Sequence, residues 1–355
     1  YTFFSKAVAR LATDFDVTHL HDWQTAIVAM LLKEGTGKGT TRMIFSIHNL
    51  AYQGSCDPDR FALTNLSPKL FHSRGPKHFG NLNFMKAGLH YADAITTVSP
   101  QYAKEILTEG FGEGLDGELL KHQDRLTGIL NGVDYSEWRT CDNPHLAAEY
   151  DSKNLSGKAT CKKHLLEIFN LPDDGLPLLA VVSRLAEQKG IGQMVEALAK
   201  LLPENRFQFV LLGSGDEDLE KMLLQLRGEF PNRVGVEIGY DQSLSHKIEA
   251  GADFFLMPSR FEPCGLNQLY SLRYGTIPIV HAVGGLKDSI TDISQAKGNG
   301  IRYDRFEVPQ LTAAVLRALK MFYDDQEMER VRERGMAQDF SWPKAAEQYL
   351  QIYKA

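Results

Sequence analysis

The stretch Leu178-Leu179-Ala180-Val181-Val182, followed by Ser183-Arg184-Leu185-Ala186-Glu187-Gln188-Lys189-Gly190 and then by an apolar pattern at three- and four-residue spacing over 192–202, decides the fold. The first five residues are uninterruptedly apolar, as a strand buried on both faces requires. The last segment has the periodicity of a helix with one buried stripe. Strand, loop and helix then repeat, with strands at 207–212, 234–238, 254–257 and 277–280 and helices at 216–227, 243–250 and 266–274. Two long helices follow at 308–323 and 326–335. Upstream, the chain opens on a helical-looking segment, and strands are read at 17–20, 43–47, 94–98 and 126–130, with helices at 23–33 and 84–91. Such alternation predicts an α/β protein with parallel, doubly wound sheets and right-handed crossovers. Between 131 and 177 the alternation stops and Asn143-Pro144, Pro172 and Gly175 appear, which reads as a linker containing a helix.

Composition narrows the function. Hydrophobic residues at 43% and charged residues at 24% of 355 belong to an ordinary globular chain. Lys and Arg number 39 against 45 Asp and Glu, so no overall field draws the chain to nucleic acid or to an anionic membrane. Apolar runs fall far short of the roughly 20 residues of a membrane span. Cys56, Cys141, Cys161 and Cys264 contain no CxxC pair and read as free thiols.

In doubly wound sheets ligands bind beyond the carboxyl ends of the strands, so the loops there carry the chemistry. Arg184 and Lys189 sit five residues apart on such a loop, where they suit a diphosphate clamp or, alternatively, a solvated surface. Leu211-Leu212-Gly213-Ser214-Gly215-Asp216 ends a strand in a Gly-x-Gly turn, but Asp218 replaces the third glycine of a dinucleotide fingerprint. Asp216-Glu217-Asp218 reads as an acidic helix start rather than a metal-binding Asp-x-Asp. The run 35–41 lacks the Ser or Thr after Lys38 that a phosphate loop needs. The densest loop is Pro258 to Gln268. Its Gly265 allows close ligand approach at a helix start, Glu262 is a candidate for sugar hydroxyls, and Cys264 reads as structural more readily than as a nucleophile. Val283-Gly284-Gly285-Leu286 offers a further glycine-rich turn. Earlier, His19-Leu20-His21-Asp22-Trp23 and His48-Asn49-Leu50-Ala51-Tyr52-Gln53-Gly54 each follow a strand. Their histidines lack a helix-borne His-x-x-x-His pair, which argues against a metal, and Trp23 and Tyr52 suit sugar faces or core packing alike.

These segments, with Asn131-Gly132-Val133-Asp134, Ile238-Gly239-Tyr240, Tyr274-Gly275-Thr276 and Asp339-Phe340-Ser341-Trp342, resemble in order and spacing the bacterial glycogen synthase and plant starch synthase family. The resemblance covers the whole chain. It implies a GT-B architecture: 1–135 as part of an acceptor-side domain, 136–332 as a nucleotide-sugar-binding domain with the linker, and 333–355 as a terminal helix crossing back. It also implies transfer of glucose from ADP-glucose to the 4-hydroxyl of an α-1,4-glucan with retention of configuration. On that resemblance Arg184 and Lys189 neutralise the donor diphosphate, Glu262 grips glucose hydroxyls, and His48 lies beside the anomeric carbon. Asn131, Gly213, Tyr240, Cys264, Gly265, Leu266, Asn267, Gly284 and Gly285 then hold the donor, with Tyr240 against the base. Asp22, Trp23 and Tyr52 serve the acceptor, and no metal or other cofactor is expected.

The family begins with a Lys-x-Gly-Gly loop that this sequence does not contain, so a fragment is expected, or else impaired synthesis. Two alternatives follow: a sucrose-type or trehalose-type transferase, against which the His-Asp-Trp and Glu-Pro-Cys-Gly motifs argue, and a catalytically silent glucan-binding relative. Expected partners are ADP-glucose and glycogen, starch or malto-oligosaccharide. Nucleic acid and membrane are not expected, and a homo-oligomer is compatible. The compartment implied is bacterial cytoplasm or plastid stroma.

Overall fold

The computed structural model describes residues 1–35 and 41–355, so most of the rejected phosphate-loop run lies outside the described residues. The chain divides into two compact units, Tyr1–Asn131 with Pro343–Ala355, and Gly132–Trp342.

The first unit contains α1 (Thr2–Ala12), β1 (Val17–His21), α2 (Asp22–Glu34), β2 (Arg42–Ile47), β3 (Ser55–Cys56), β4 (Lys77–His78), β5 (Asn81–Asn83), α3 (Phe84–Tyr91), β6 (Ala94–Thr97), α4 (Pro100–Glu105), α5 (Asp116–Leu120) and β7 (Leu126–Gly128). Its main sheet is parallel throughout, in the order β1-β2-β6-β7. Buried residues of β2 alternate with nothing polar but Ser46, as expected of a strand covered on both faces. Helix α2 buries every residue from Ala26 to Leu32 and packs on α3. There Gly88 brings α3 so near the sheet that a Cβ would lie 2.7 Å from the Phe45 ring. A small antiparallel sheet, β3-β5-β4, was not predicted, because strands of two or three residues display no period.

The second unit contains α6 (Ser156–Ile168), β8 (Leu178–Val182), α7 (Ile191–Leu201), β9 (Gln208–Gly213), α8 (Glu217–Glu229), β10 (Val234–Ile238), α9 (Gln242–Gly251), β11 (Phe254–Met257), α10 (Asn267–Arg273), β12 (Ile277–His281), α11 (Gly284–Ser289), β13 (Ile301–Tyr303), α12 (Val308–Met321) and α13 (Asp325–Met336). Its six parallel strands run β10-β9-β8-β11-β12-β13, so the winding reverses between β8 and β11. That switch point is where a doubly wound sheet opens a crevice for a ligand. Phe209, Leu211, Phe254, Leu256 and Ile279 form the sheet's part of one core with α7 and α12. Truncating Phe209 or Phe254, both 0% exposed, to Ala would cost about 3–5 kcal/mol.

The segment read as a linker is in fact folded. Tyr150 and Cys161 are buried with Ala250, Tyr274 and Met336, and Trp138 stacks on Tyr270 with ring centroids 3.6 Å apart. Its polar composition misleads because the buried groups bond internally. The Asn143 amide donates to the Tyr274 hydroxyl, and Lys158, itself buried, donates to the carbonyls of Ala250 and Tyr274.

The chain enters the second unit at Gly132 and leaves it at Trp342, and these two passages lie side by side. The Val133 amide donates to the Phe340 carbonyl, and a Cβ on Gly132 would meet the Trp342 backbone at 2.4 Å. The final helix, α14 (Trp342–Lys354), then belongs to the first unit from Pro343 on. Among the described residues, no helix is long and apolar enough to cross a membrane.

Candidate active site

At the switch point of the second unit lies a cavity of about 310 Å³ lined by residues that follow β8, β9, β10 and β11. Arg184, Lys189, Gly213, Tyr240, Glu262, Gly265, Leu266 and Asn267 all face it. Glu262 is 7% exposed at its side chain and pairs through Oε2 with Lys189 Nζ at 2.5 Å. The Ser259 hydroxyl donates to the same oxygen at 2.9 Å. Arg184 is exposed and makes no ion pair among the described residues, which leaves its guanidinium for a ligand. Tyr240 is 88% exposed, a ring face presented at the cavity rim.

Glycines let the loops interlock. A Cβ on Gly190, held at φ +67°, would lie 2.0 Å from the Pro258 carbonyl oxygen, and one on Gly213 would lie 2.1 Å from that of Ser183. The Arg260 amide donates to the Gln188 carbonyl, and Asn267 Nδ2 to that of Val182. Gly190 also precedes α7 without a side-chain cap, so the first amides of an eleven-residue helix at the cavity edge are open to an anion. Asp216, by contrast, caps α8 by accepting from the amides of Asp218 and Leu219, the helix-start role expected of it.

Four expected donor residues do not line the cavity: Asn131, in the first unit, and Cys264, Gly284 and Gly285. Cys264 is buried at 6% exposure beneath the loop. Gly284 and Gly285 press on that loop from behind, where a Cβ would sit 2.0 Å from the carbonyl oxygens of Glu262 and Cys264. They shape the loop instead of contacting the cavity. Two residues that the sequence did not single out support the carboxylate: Ser259, and buried His281, whose Nδ1 lies 2.8 Å from the Ser259 carbonyl oxygen. Ser259 sat within the dense loop and was legible by position, whereas His281 at the end of β12 carries no local signal.

In the first unit, β1 and β2 bring His19, His21 and His48 together. His21 Nδ1 lies 2.9 Å from His48 Nε2, and the His48 amide donates to Asp22 Oδ1 at 2.8 Å. Asp22 takes a left-handed φ of +55° at the turn from β1 into α2, a conformation uncommon for any residue but glycine. His19 bonds Ser46 through Nε2 and Tyr353 through Nδ1, both at 2.7 Å. Burial, reinforced by His21 and His48, pushes His19 down to about 4, and burial likewise lowers His21, so both rings are neutral at pH 7. Trp23 is half-buried against Tyr1, Phe84 and the backbone of Gly54, while Tyr52 stands exposed at 53%. Asn131 closes the first unit half-buried and does not line the cavity.

Among the described residues the one group geometrically close enough to hold a metal is His90, Glu118 and His122. Its chemistry opposes a metal. Arg125 donates to His122 Nδ1, which leaves the proton of the neutral ring on Nε2, and Glu118 already faces Lys121 at 2.9 Å and Lys86 at 3.8 Å.

Residues 1–121 match the family described as starch synthase catalytic domain, and residues 166–337 match glycosyl transferases group 1. A glycogen synthase of Thioalkalivibrio sulfidiphilus is 45% identical over 99% of this chain and 75% of its own length. The chain belongs to the glycogen synthase family. A glycogen synthase of Myxococcus xanthus is 47% identical over 98% of the chain and 73% of its own. The catalytic domain of starch synthase IV from Arabidopsis thaliana, solved with ADP and acarbose, superposes with a TM-score of 0.93 at 33% identity, over 99% of this chain and 76% of that one. A glucosyltransferase of the glycogen synthase family with the GT-B fold is therefore what the two parallel-sheet units form.

Proposed function

We propose that this member of the glycogen synthase family transfers glucose from ADP-glucose to the non-reducing 4-hydroxyl of an α-1,4-glucan, with retention of configuration and without a metal. The observation that carries the reading is the Lys189–Glu262 pair at the switch-point cavity, with Arg184 unpaired beside it. Two cations and the open amides of α7 offer a diphosphate three kinds of positive partner, enough to stabilise it as a leaving group. In this role they take the place of a divalent ion. The buried carboxylate beside them binds hydroxyls of the transferred glucose, and Tyr240 supports the base. Gly213, Gly265, Leu266 and Asn267 close the donor site with backbone and amide groups.

His48 in the first unit stabilises the oxocarbenium-like centre through its backbone carbonyl, and the Asp22 carboxylate holds the amide of the same residue. Asp22 and Tyr52 are assigned to the acceptor, and the relative solved with ADP and acarbose supports both the nucleotide and the glucan class. Bacterial relatives favour the bacterial cytoplasm, with plastid stroma as the plant equivalent. No feature of the site favours the catalytically silent alternative.

The test is incorporation of labelled glucose into a glycogen primer, with ADP-glucose, UDP-glucose and EDTA arms. Incorporation that prefers ADP-glucose and survives EDTA is the expected result. Loss of activity in EDTA would overturn the metal-free cationic clamp. Absence of incorporation with glucan binding retained would assign a glucan-binding role instead.

A further inference from the structure

The C-terminal helix reaches His19, which gathers with His21 beside His48. Of the thirteen residues in α14 only Ala345 is buried, yet Ala345, Tyr349 and Tyr353 recur at four-residue spacing and so share one face. Tyr349 and Tyr353 pack on the His19 ring at centroid distances of 5.4 and 5.7 Å. The Tyr353 hydroxyl lies 2.7 Å from His19 Nδ1, and His19 Nε2 lies 2.7 Å from Ser46 Oγ, which bonds in turn to Thr96. The opposite contact of His19 is with His21, ring on ring at 4.2 Å and 28°. His21 then holds His48 through Nδ1 to Nε2 at 2.9 Å.

The geometry points to Tyr353 as a positioning residue: from the last turn of α14 it fixes the His19 ring, and through the His19–His21 stack and the His21–His48 bond it holds the His48 side chain, and so restrains the residue whose backbone carbonyl is assigned to the reacting sugar. Neither Tyr353 nor His19 has a site role in the proposal above, and the inference rests on that proposal only for the consequence it has in catalysis.

The proton logic supports a fixed ring. His19 is bonded at both nitrogens, so a neutral ring has one donor and one acceptor. If the Tyr353 hydroxyl donates to Nδ1, Nε2–H must donate to Ser46, and Ser46 to Thr96. If instead Nδ1–H donates to Tyr353, the Ser46 hydroxyl must donate to Nε2. Each arrangement pins the ring at both ends, and removing the Tyr353 hydroxyl releases one end. A ring anchored only at Ser46 is free to rock about Nε2, and the stacked His21 rocks with it.

The deciding variant is Tyr353→Phe, which deletes one hydroxyl and keeps the ring that packs on His19. Two measurements on the full chain read it. In long-range proton–nitrogen spectra of the imidazoles, the His19, His21 and His48 signals should all move relative to wild type, while those of His145 and His246 in the second unit stay in place. In glucosyl transfer from ADP-glucose to glycogen, kcat should fall about tenfold with the donor KM unchanged, because the donor cavity belongs to the other unit. Unmoved His48 signals would overturn the inference whether or not the chain transfers glucose. Moved signals with wild-type kcat would overturn its catalytic part. A wild-type chain without transfer would count against the proposed function alone, since the spectra still decide the positioning. Tyr349→Phe is not a suitable control, since that side chain packs on the same ring.

Discussion

The charge-neutralising variant Glu262→Gln should separate donor binding from catalysis. At 2.5 Å, and with an effective dielectric of about 20, the gross attraction between Lys189 and Glu262 is about 6–7 kcal/mol. Desolvation of two side chains that are only 20% and 7% exposed offsets most of it, leaving a net of about 1–2 kcal/mol. A diphosphate that needs Lys189 has to compete with that net attraction. Replacing the carboxylate by an amide keeps the Ser259 contact and the shape of the cavity but frees the ammonium. ADP affinity in calorimetric titration should therefore rise about five- to thirtyfold. Glucosyl transfer should fall by about a hundredfold or more, because a charged acceptor for the sugar hydroxyls is lost in the transition state. Weaker ADP binding by the variant, or none of the expected gain, would refute the competition and with it the assignment of Lys189 to the diphosphate.

Other perturbations test other parts of the site. Lys189→Ala should weaken ADP binding and transfer together, with a melting temperature within a few degrees of wild type, since the side chain lines a cavity and not the core. Gly190→Ala places a Cβ 2.0 Å from the Pro258 carbonyl oxygen at a left-handed φ, so both stability in urea and ADP affinity should drop, the backbone conformation alone costing about 1–2 kcal/mol. Stability should also fall on acidification between pH 6.5 and about 4. His19 and His246 are both pushed down to about 4 by burial, so within that window the unfolded chain binds protons that the folded protein refuses. Urea midpoints at stepped pH would show it, and a midpoint flat across the window would count against neutral burial of these rings. Asp22→Asn keeps an acceptor for the His48 amide but removes its charge, and it should lower kcat more than donor KM in the same transfer assay.

Much of the second unit was legible because its strands are buried on both faces. The boundaries of β8, β10 and β11 match the strands read at 178–182, 234–238 and 254–257 residue for residue, although β10 lies at the sheet edge with Glu237 exposed, and α3 in the first unit matches 84–91. The loops after such strands bring eight of the expected donor residues to one cavity. Less legible was what stands behind a residue. Cys264, Gly284 and Gly285 share the glycine-rich, helix-opening sequence of the residues that line the cavity, but they pack behind the loop. The 131–177 segment looked solvated because Lys158, Asn143 and Tyr150 satisfy their polar atoms inside the fold, through partners more than a hundred residues away in the chain. Nor does any local pattern announce His281 under Ser259, or Tyr353 against His19, since both contacts join distant parts of the chain.

The double passage between the units has a consequence for how the protein is made. The strands of the first unit leave the ribosome before the second unit, yet the helix that holds His19 at Nδ1 is translated only after all of Gly132–Trp342. The second unit has its whole sheet in one continuous stretch and can close on its own core as it emerges. The order of completion is thus the reverse of the order of synthesis. Until α14 arrives, the unit that carries His48 lacks the helix that anchors the His19 ring.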